Sequence, residues 1–550
     1  MGRRWAAIAG LLLIVASLGW RCSTSTTVKS TVTGGTVFTF ISDTPICDVL
    51  AVRMNVLGLS LGIANTVVAH TLLSSLNTVI GLDWAALRTS TTMLALSTNV
   101  PVNIYNTLTI NLEGQSTYVY DVSKNPPINS IAESFTTGSK ESIFDITPSL
   151  SVIKGSVNAI SLEFDLEDAL EQDSEGNLTG SVTPTATVTP LTLSPTGGFG
   201  DLDGLTGFIQ SVKTTGFQTS STTFTGGVQL QLLAGTVTGG PSATIDFTSN
   251  TAICGPRTFS NEPCCPATEI ANAVCNNLSP APLNTILTNS YAWVDGFVDS
   301  NGNLNANIID IGPQANPSST PIGPGTPANT ATFVGPVLSL TKDSAGNVTG
   351  FVMFLRDFQP PVAGLDLDSA FMVTLSPQTI YASSPPPIYT AASAMTPQGP
   401  NFAALPFGVP QLAVGEDVVV TGVYKTAPTG STNLLTTVTA AEIDVRLQTQ
   451  EGNLVALLAS EPDNRTGAFT LYPCSSLMQL NNASAIPIYV FTSPATTFVN
   501  TGGLTGLLQQ PRTLVKGLLF YEPASVTING VATPPGTLVM LAKQVTQLIS

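Results

Sequence analysis

Ala292-Trp293-Val294-Asp295-Gly296-Phe297-Val298, then Asp299-Ser300-Asn301-Gly302-Asn303, then Leu304-Asn305-Ala306-Asn307-Ile308-Ile309-Asp310-Ile311: two β-favouring runs flank a five-residue turn. Asp and Asn bond their own backbone in turns and tolerate positive φ, and Gly adopts it without steric cost, so this stretch predicts a β-hairpin. The frame Asp-Ser-x-Gly-Asn occurs three times, at 173–177, 299–303 and 343–347, each time between apolar runs. The chain turns back on itself repeatedly, and its fold class reads as all-β with minor α content.

Composition agrees. Only 10% of the 550 residues are charged, while 47 Gly, 39 Pro and long Ser/Thr-rich stretches favour strands and turns. A chain of this length exceeds what one core holds, so it is multidomain. The balance of 19 basic against 35 acidic residues gives a net charge of −16, which excludes a basic footprint for phosphate backbones and hence nucleic acid as partner.

Arg3 and Arg4 precede an apolar run at 6–20, so residues 1–22 read as a signal peptide or N-terminal anchor, followed by a Ser/Thr-rich tether at 23–33. The run is shorter than the roughly 20 residues that span a bilayer, and membrane contact is expected only through this segment. Cys22 just after it is a lipidation candidate. Export to the cell envelope or exterior fits the seven cysteines. Cys254, Cys264, Cys265 and Cys275 crowd a stretch punctuated by Pro256, Pro263 and Pro266 and read as two disulfides of open connectivity. Cys264-Cys265 is not a C-x-x-C knuckle and no His lies nearby, which disfavours a metal site. Cys47 and Cys474 either pair or stay as buried thiols.

Along the chain, 36–41 reads as a strand. A second alternates from Val52 to Val56 and shifts phase towards Leu57, Leu59 and Leu61, as a bulge would do. Residues 67–87 are the best helical candidate, with Asp83 able to start a second short helix. Strands resume at 101–112, 116–122 and 157–166. In order, Gly35 to Val37, Ser42-Asp43-Thr44-Pro45, the 52–61 strand, Asp83-Trp84-Ala85-Ala86-Leu87, Tyr105, Leu162-Glu163-Phe164-Asp165-Leu166, the 173–177 turn and Val182-Thr183-Pro184 resemble the bacterial secreted domain of unknown function 4382. The resemblance covers about 34–192. It implies an exported β-sandwich-like domain and brings no established catalytic residues.

The remainder reads as small OB-like or barrel-like β modules: 193–280 with the Cys-rich loop, 281–395 with Pro-rich loops, and 396–550. Val228-Gln229-Leu230-Gln231-Leu232 alternates as a half-buried strand does. Leu412-Ala413-Val414-Gly415-Glu416-Asp417 leading into Val418 to Gly422, with 437–446, is similar to a second bacterial family, the domain of unknown function 5666. That likeness implies an OB-like barrel, which does not itself fix a function.

Candidate chemistry is sparse. Gly58-Leu59-Ser60-Leu61-Gly62 spells the G-x-S-x-G nucleophile elbow, with His70, the single histidine, behind it, but the motif lies inside a strand pattern. Asp201 with Asp203, Asp366 with Asp368, and the group Glu163, Asp165, Glu167 and Asp168 are acidic clusters of the kind that hold calcium. The best calcium candidate is the loop from Asp299, with Asn301, Asn303 and Asp310 as ligands. It lacks the Gly and Glu that an EF-hand loop places at its sixth and twelfth positions. Tyr291, Trp293 and Phe297 either stack a carbohydrate or, for Trp293 and Phe297, share an inward face. The reading is an exported, non-catalytic envelope or extracellular binding or structural protein, with no cofactor other than this calcium. Its alternatives are a calcium-dependent carbohydrate-binding or adhesion module and an exported serine hydrolase.

Overall fold

The structure is a computed structural model. It describes residues 33–44, 46–64, 66, 69–74, 80–88, 91–132, 139–172, 174, 178–191, 198–212, 226–232, 242–254, 265–266, 289–316, 329–360, 362, 365–384, 407–425, 437–479, 487–507 and 512–548. The expected signal segment with Cys22 and the tether up to residue 32 lie outside the described residues, as do Cys264, Cys275 and most of the Pro-rich segments.

The chain is all-β and multidomain. The first domain is built from two sheets. One contains, in spatial order, Ala69–Ser74, Val49–Gly62, Asn103–Tyr120 and Ser139–Val152. The other contains Ala186–Leu191, Val157–Asp165, Gly35–Thr44 and Thr92–Val100. They join at one edge, where Val188 bridges Ile146, and close over a core that includes Val52, Trp84, Ile110, Leu162 and Phe164. Val49–Gly62 shifts register against Asn103–Tyr120 between Met54 and Asn55 and between Val56 and Gly58, the second being where the sequence pattern changes phase.

The helix expected at 67–87 does not form in the described residues there. Ala69–Ser74 and Ile80–Asp83 are strands paired with Val49–Gly62, and only Trp84–Arg88 curls, as a 3-10 turn. The long strand offers a ladder of backbone partners that satisfies these short segments, and tertiary pairing overrides their helical spacing.

Three closed five-stranded barrels follow. The strands of the first are Gly198–Val212, Gly226–Leu232, Ser242–Cys254, Ser290–Asp299 and Leu304–Gln314. In the second they are Thr330–Lys342, Val348–Phe354, the split pair Ala370–Thr374 and Ile380–Ser384, Asp417–Lys425 and Thr437–Arg446. The third contains Gln448–Ser460, Gly467–Pro473, the split pair Ile488–Thr492 and Thr497–Val499, Thr513–Glu522 and Thr537–Gln547. Each closes in the order first, second, third, fifth, fourth, first, with the third and fifth strands parallel. This is an OB-like Greek-key barrel.

The expected module boundaries therefore move. A break at 280 would separate Ser242–Cys254 from its parallel partner Leu304–Gln314, and a break near 395 would separate Ile380–Ser384 from Thr437–Arg446. Only the buried Leu447 separates the second barrel from the third.

Two local devices recur in all three barrels. Where the third strand breaks, a threonine hydroxyl accepts a backbone N–H three residues back and donates to a fifth-strand carbonyl. Thr251 links Thr248 N and Ala306 O at 2.8 and 2.7 Å, Thr379 links Ser376 N and Ala440 O at 2.9 and 2.9 Å, and Thr496 links Ser493 N and Ala542 O at 2.8 and 2.8 Å. The fourth strand carries a bulge at Asp295/Gly296, Thr421/Gly422 or Lys516/Gly517. A Cβ on these glycines would meet the carbonyl oxygens of Asn305, Thr439 and Leu541 at 2.3, 2.4 and 2.3 Å.

The turns behave as the sequence requires. Asp299 N donates to Asn303 O at 2.9 Å, and Asp343 N to Asn347 O at 2.9 Å. Gly302 and Gly346 take φ of 84° and 88°. Of the 173–177 frame only Ser174 is described, but Leu170–Gln172 and Leu178–Val182 pair across it.

Because the second barrel's bulge glycine faces backbone rather than a flexible side chain, Gly422→Ala should cost about 1–3 kcal/mol, from strain and repacking. Urea unfolding of the variant measures this; an unchanged midpoint would contradict the close approach.

Candidate functional site

The sequence-expected sites are placed as follows. In the 299–310 segment, Oδ1 of Asp299 accepts the backbone amides of Asn301 and Asn303 at 2.9 and 2.8 Å, and Oδ2 accepts Nδ2 of Asn303 at 3.0 Å. Despite partial burial, these donors hold the Asp299 carboxyl below the usual range. Asp310 lies opposite Trp293 and Cys254 further along Leu304–Gln314, 1% exposed and roughly 20 Å from the turn at the rise of a strand. The turn is thus filled by its own backbone, and the expected calcium ligands are not gathered in one place. Asp343 repeats the arrangement with Ala345 and Asn347.

Ser60 stands opposite Thr71, and His70 opposite Leu61, in one antiparallel pair. Cross-strand partners share a face and neighbours along a strand do not, so Ser60 and His70 face opposite ways, and no strand-turn-helix elbow forms. Tyr291 and Trp293 are 1% and 2% exposed and form no open stacking platform. They point away from their own barrel's core of Ala292, Val294 and Val298 into a cluster shared by all three barrels. There Arg446 lies 5.3 Å from the Tyr291 ring centroid and Lys543 4.9 Å from that of Trp293. Cys254 is disulfide-bonded, and of Cys265 only the backbone is described.

What the sequence reading missed is a set of arginines at the domain seams. Arg356 of the second barrel donates Nε to Leu50 O of the first domain at 2.9 Å, and Nη1 to both oxygens of Asp417 at 3.1 and 2.9 Å. Asp83 of the first domain lies 3.9 Å from the same guanidinium, and all three side chains are at most 3% exposed. Beside it, Arg53 is bidentate to Asp368, one of the acidic-cluster residues, and also donates to Arg356 O at 2.9 Å. The signal in the sequence was slight: Arg53 interrupts an alternating strand as an outward-facing residue would.

At the other seam, Cys47 and Cys474 form a disulfide across a sequence separation of 427, with Cα atoms 5.7 Å apart. Ser475 donates to Asp48 at 3.1 Å. Arg512 of the third barrel pairs with Glu167 of the first domain and with Glu451. Burial pushes the Glu451 carboxyl up, against the pull of Arg512. Between the two domains lies a cleft of about 860 Å³. Among the described residues, the one group whose ligand atoms could reach a common ion, within 4.8 Å of one another, is Cys47, Glu451 and Cys474. The disulfide already consumes both sulfurs.

Two outcomes follow. Removing the guanidinium strands buried carboxylates, so Arg356→Ala should cost about 3–5 kcal/mol in chemical unfolding, whereas a loss under 1 kcal/mol would contradict its bridging role. Next to Asp417, Glu416 is fully buried, and burial raises its carboxyl well above the ordinary value. A raised folded-state value means the native state keeps a proton that the unfolded chain releases near pH 4, so this group lowers stability as pH rises from there. Glu416→Gln should therefore raise Tm at pH 8 relative to the parent and lose that advantage near pH 4; an equal effect at both pH values would contradict the assignment.

No protein-family model, curated protein or solved structure matches this chain.

Proposed function

We propose that this is an exported, non-catalytic binding or structural protein of the cell envelope or exterior, in which a β-sandwich-like domain is clamped onto the last of three OB-like barrels. The observation that carries the reading is the Cys47–Cys474 disulfide, which ties the first domain to the third barrel. Such bonds persist in oxidising compartments, and a second disulfide at Cys254 supports the same environment. The N-terminal basic and apolar run and the resemblance to domain of unknown function 4382 fit export. No helix among the described residues is long and apolar enough to cross a membrane. The non-catalytic part of the reading is supported by the strand placement of Ser60 and His70 on opposite faces.

Peptide mass spectrometry of non-reduced protein from its native host should recover a linked Cys47–Cys474 peptide and an N-terminus beyond the apolar run. Free thiols at both positions, or an intact N-terminus in the cytosol, would overturn the proposal. Closing so long a loop constrains the unfolded chain, so Cys47→Ser with Cys474→Ser should lose about 2–5 kcal/mol in urea unfolding.

A further inference from the structure

We infer that the outer face of the third barrel's first hairpin, Gln448–Ser460 with Gly467–Pro473, is the surface through which two copies of this chain associate. The triplicated barrel carries this, because it sets one position in three different environments.

In each barrel a first-strand glycine approaches the second strand so closely that a Cβ on Gly207, Gly335 or Gly452 would collide with the carbonyl oxygen of Gln231, Phe354 or Tyr472. Three residues on, the register between the two strands shifts, with Gln210, Leu338 and Val455 inside the shift. These landmarks align the pairs Gln210/Gln231, Leu338/Phe354 and Val455/Tyr472. In the first barrel the pair lies at the surface, and Gln210 Nε2 donates to Gln231 Oε1 at 3.2 Å. In the second barrel Leu338 and Phe354 are fully buried, because Leu50 and Ala51 of the first domain, with the partly buried Tyr118, cover them. In the third barrel the pair is of the covered, apolar kind, yet Val455 and Tyr472 are 47% and 44% exposed. Leu457 and Leu458 of the same strand are exposed as well.

Single exposed apolar side chains are ordinary, but a group of them on one hairpin marks an interaction surface. The occupant is a second copy of the hairpin. From Asn453 to Ser460 the strand carries no charge, so two chains of net charge −16 meet there without like-charge contact, and a charged partner finds nothing to pair with. Beyond Gly452 this strand pairs, among the described strands, only with Gly467–Pro473, which leaves its other edge open to a further strand. An edge that meets its own copy antiparallel about a dyad uses the same patch on both sides and closes at two copies. The first-domain face that covers the second barrel cannot serve instead, since Leu338 and Phe354 of its own chain already occupy it.

Sedimentation velocity of the oxidised full-length protein over about 1 to 100 µM tests this. The expected result is a reversible monomer–dimer equilibrium with no larger species. Val455→Gln with Tyr472→Gln, which reproduces the first barrel's pair at positions already exposed, should weaken the dimer roughly tenfold and leave the urea midpoint of the monomer near the parent's. Leu458→Lys, which sets like charges across the dyad, should weaken the dimer independently and carries the test if the double variant fails to fold. A monomer throughout the range, a dimer that both variants leave intact, or an open series of larger species would overturn the proposal. So would flotation of the monomer with phosphatidylcholine vesicles that the double variant abolishes, which would assign the face to lipid.

Discussion

The Arg356 guanidinium sits where the first domain meets the second barrel, and the arrangement of the domains depends on how its charge is met. A buried cation is tolerated only when its partners are in place. Here they come from both sides of the seam, Leu50 O and Asp83 from one and Asp417 from the other. Arg53 then grips Asp368 and the Arg356 carbonyl, so contacts of both arginines cross the seam. Apolar packing follows the same seam, where Leu50 and Ala51 meet Leu338, Phe354 and Val414. Hydrophobic burial supplies the attraction, and the buried ion pairs restrict it to one geometry.

The other seams obey the same logic with different chemistry. Both faces of Gly35–Thr44 are buried: Val37 and Ile41 enter the core of the first domain, while Phe38 and Phe40 pack with Leu205 and Val294 of the first barrel. Tyr291 and Trp293 lie outside their own barrel yet inside the protein, capped by Arg446 and Lys543 from the next two barrels. Lys543 also reaches Asp295, which stands beside the first barrel's bulge glycine, at 3.1 Å. The same bulge and the same threonine clip are thus used three times, while the side chains beside them vary to suit each barrel's neighbour.

Local features were legible in the sequence and long-range ones were not. The Asp-Ser-x-Gly-Asn turns, the strand at Gly226–Leu232 and the hairpin around Asp299 follow from alternation and turn chemistry, which need only neighbouring residues. Barrel boundaries were not legible because a parallel third-to-fifth pairing joins residues 47 to 65 apart, beyond the reach of any period. The triplication has a signal in the sequence: Val294-Asp295-Gly296-Phe297-Val298, Val420-Thr421-Gly422-Val423-Tyr424 and Val515-Lys516-Gly517-Leu518-Leu519 share one pattern. The seam cleft had none, because Arg512 reaches Glu167 only once the first domain docks on the third barrel.

The central claim is that a sandwich and three barrels behave as one clamped unit. Differential scanning calorimetry of the oxidised full-length protein tests it most directly. The account predicts a single cooperative transition whose calorimetric and van't Hoff enthalpies agree, because the seams share buried charges and cores. Separate transitions for the first domain and the barrels, unchanged by reduction of the disulfides, would contradict it.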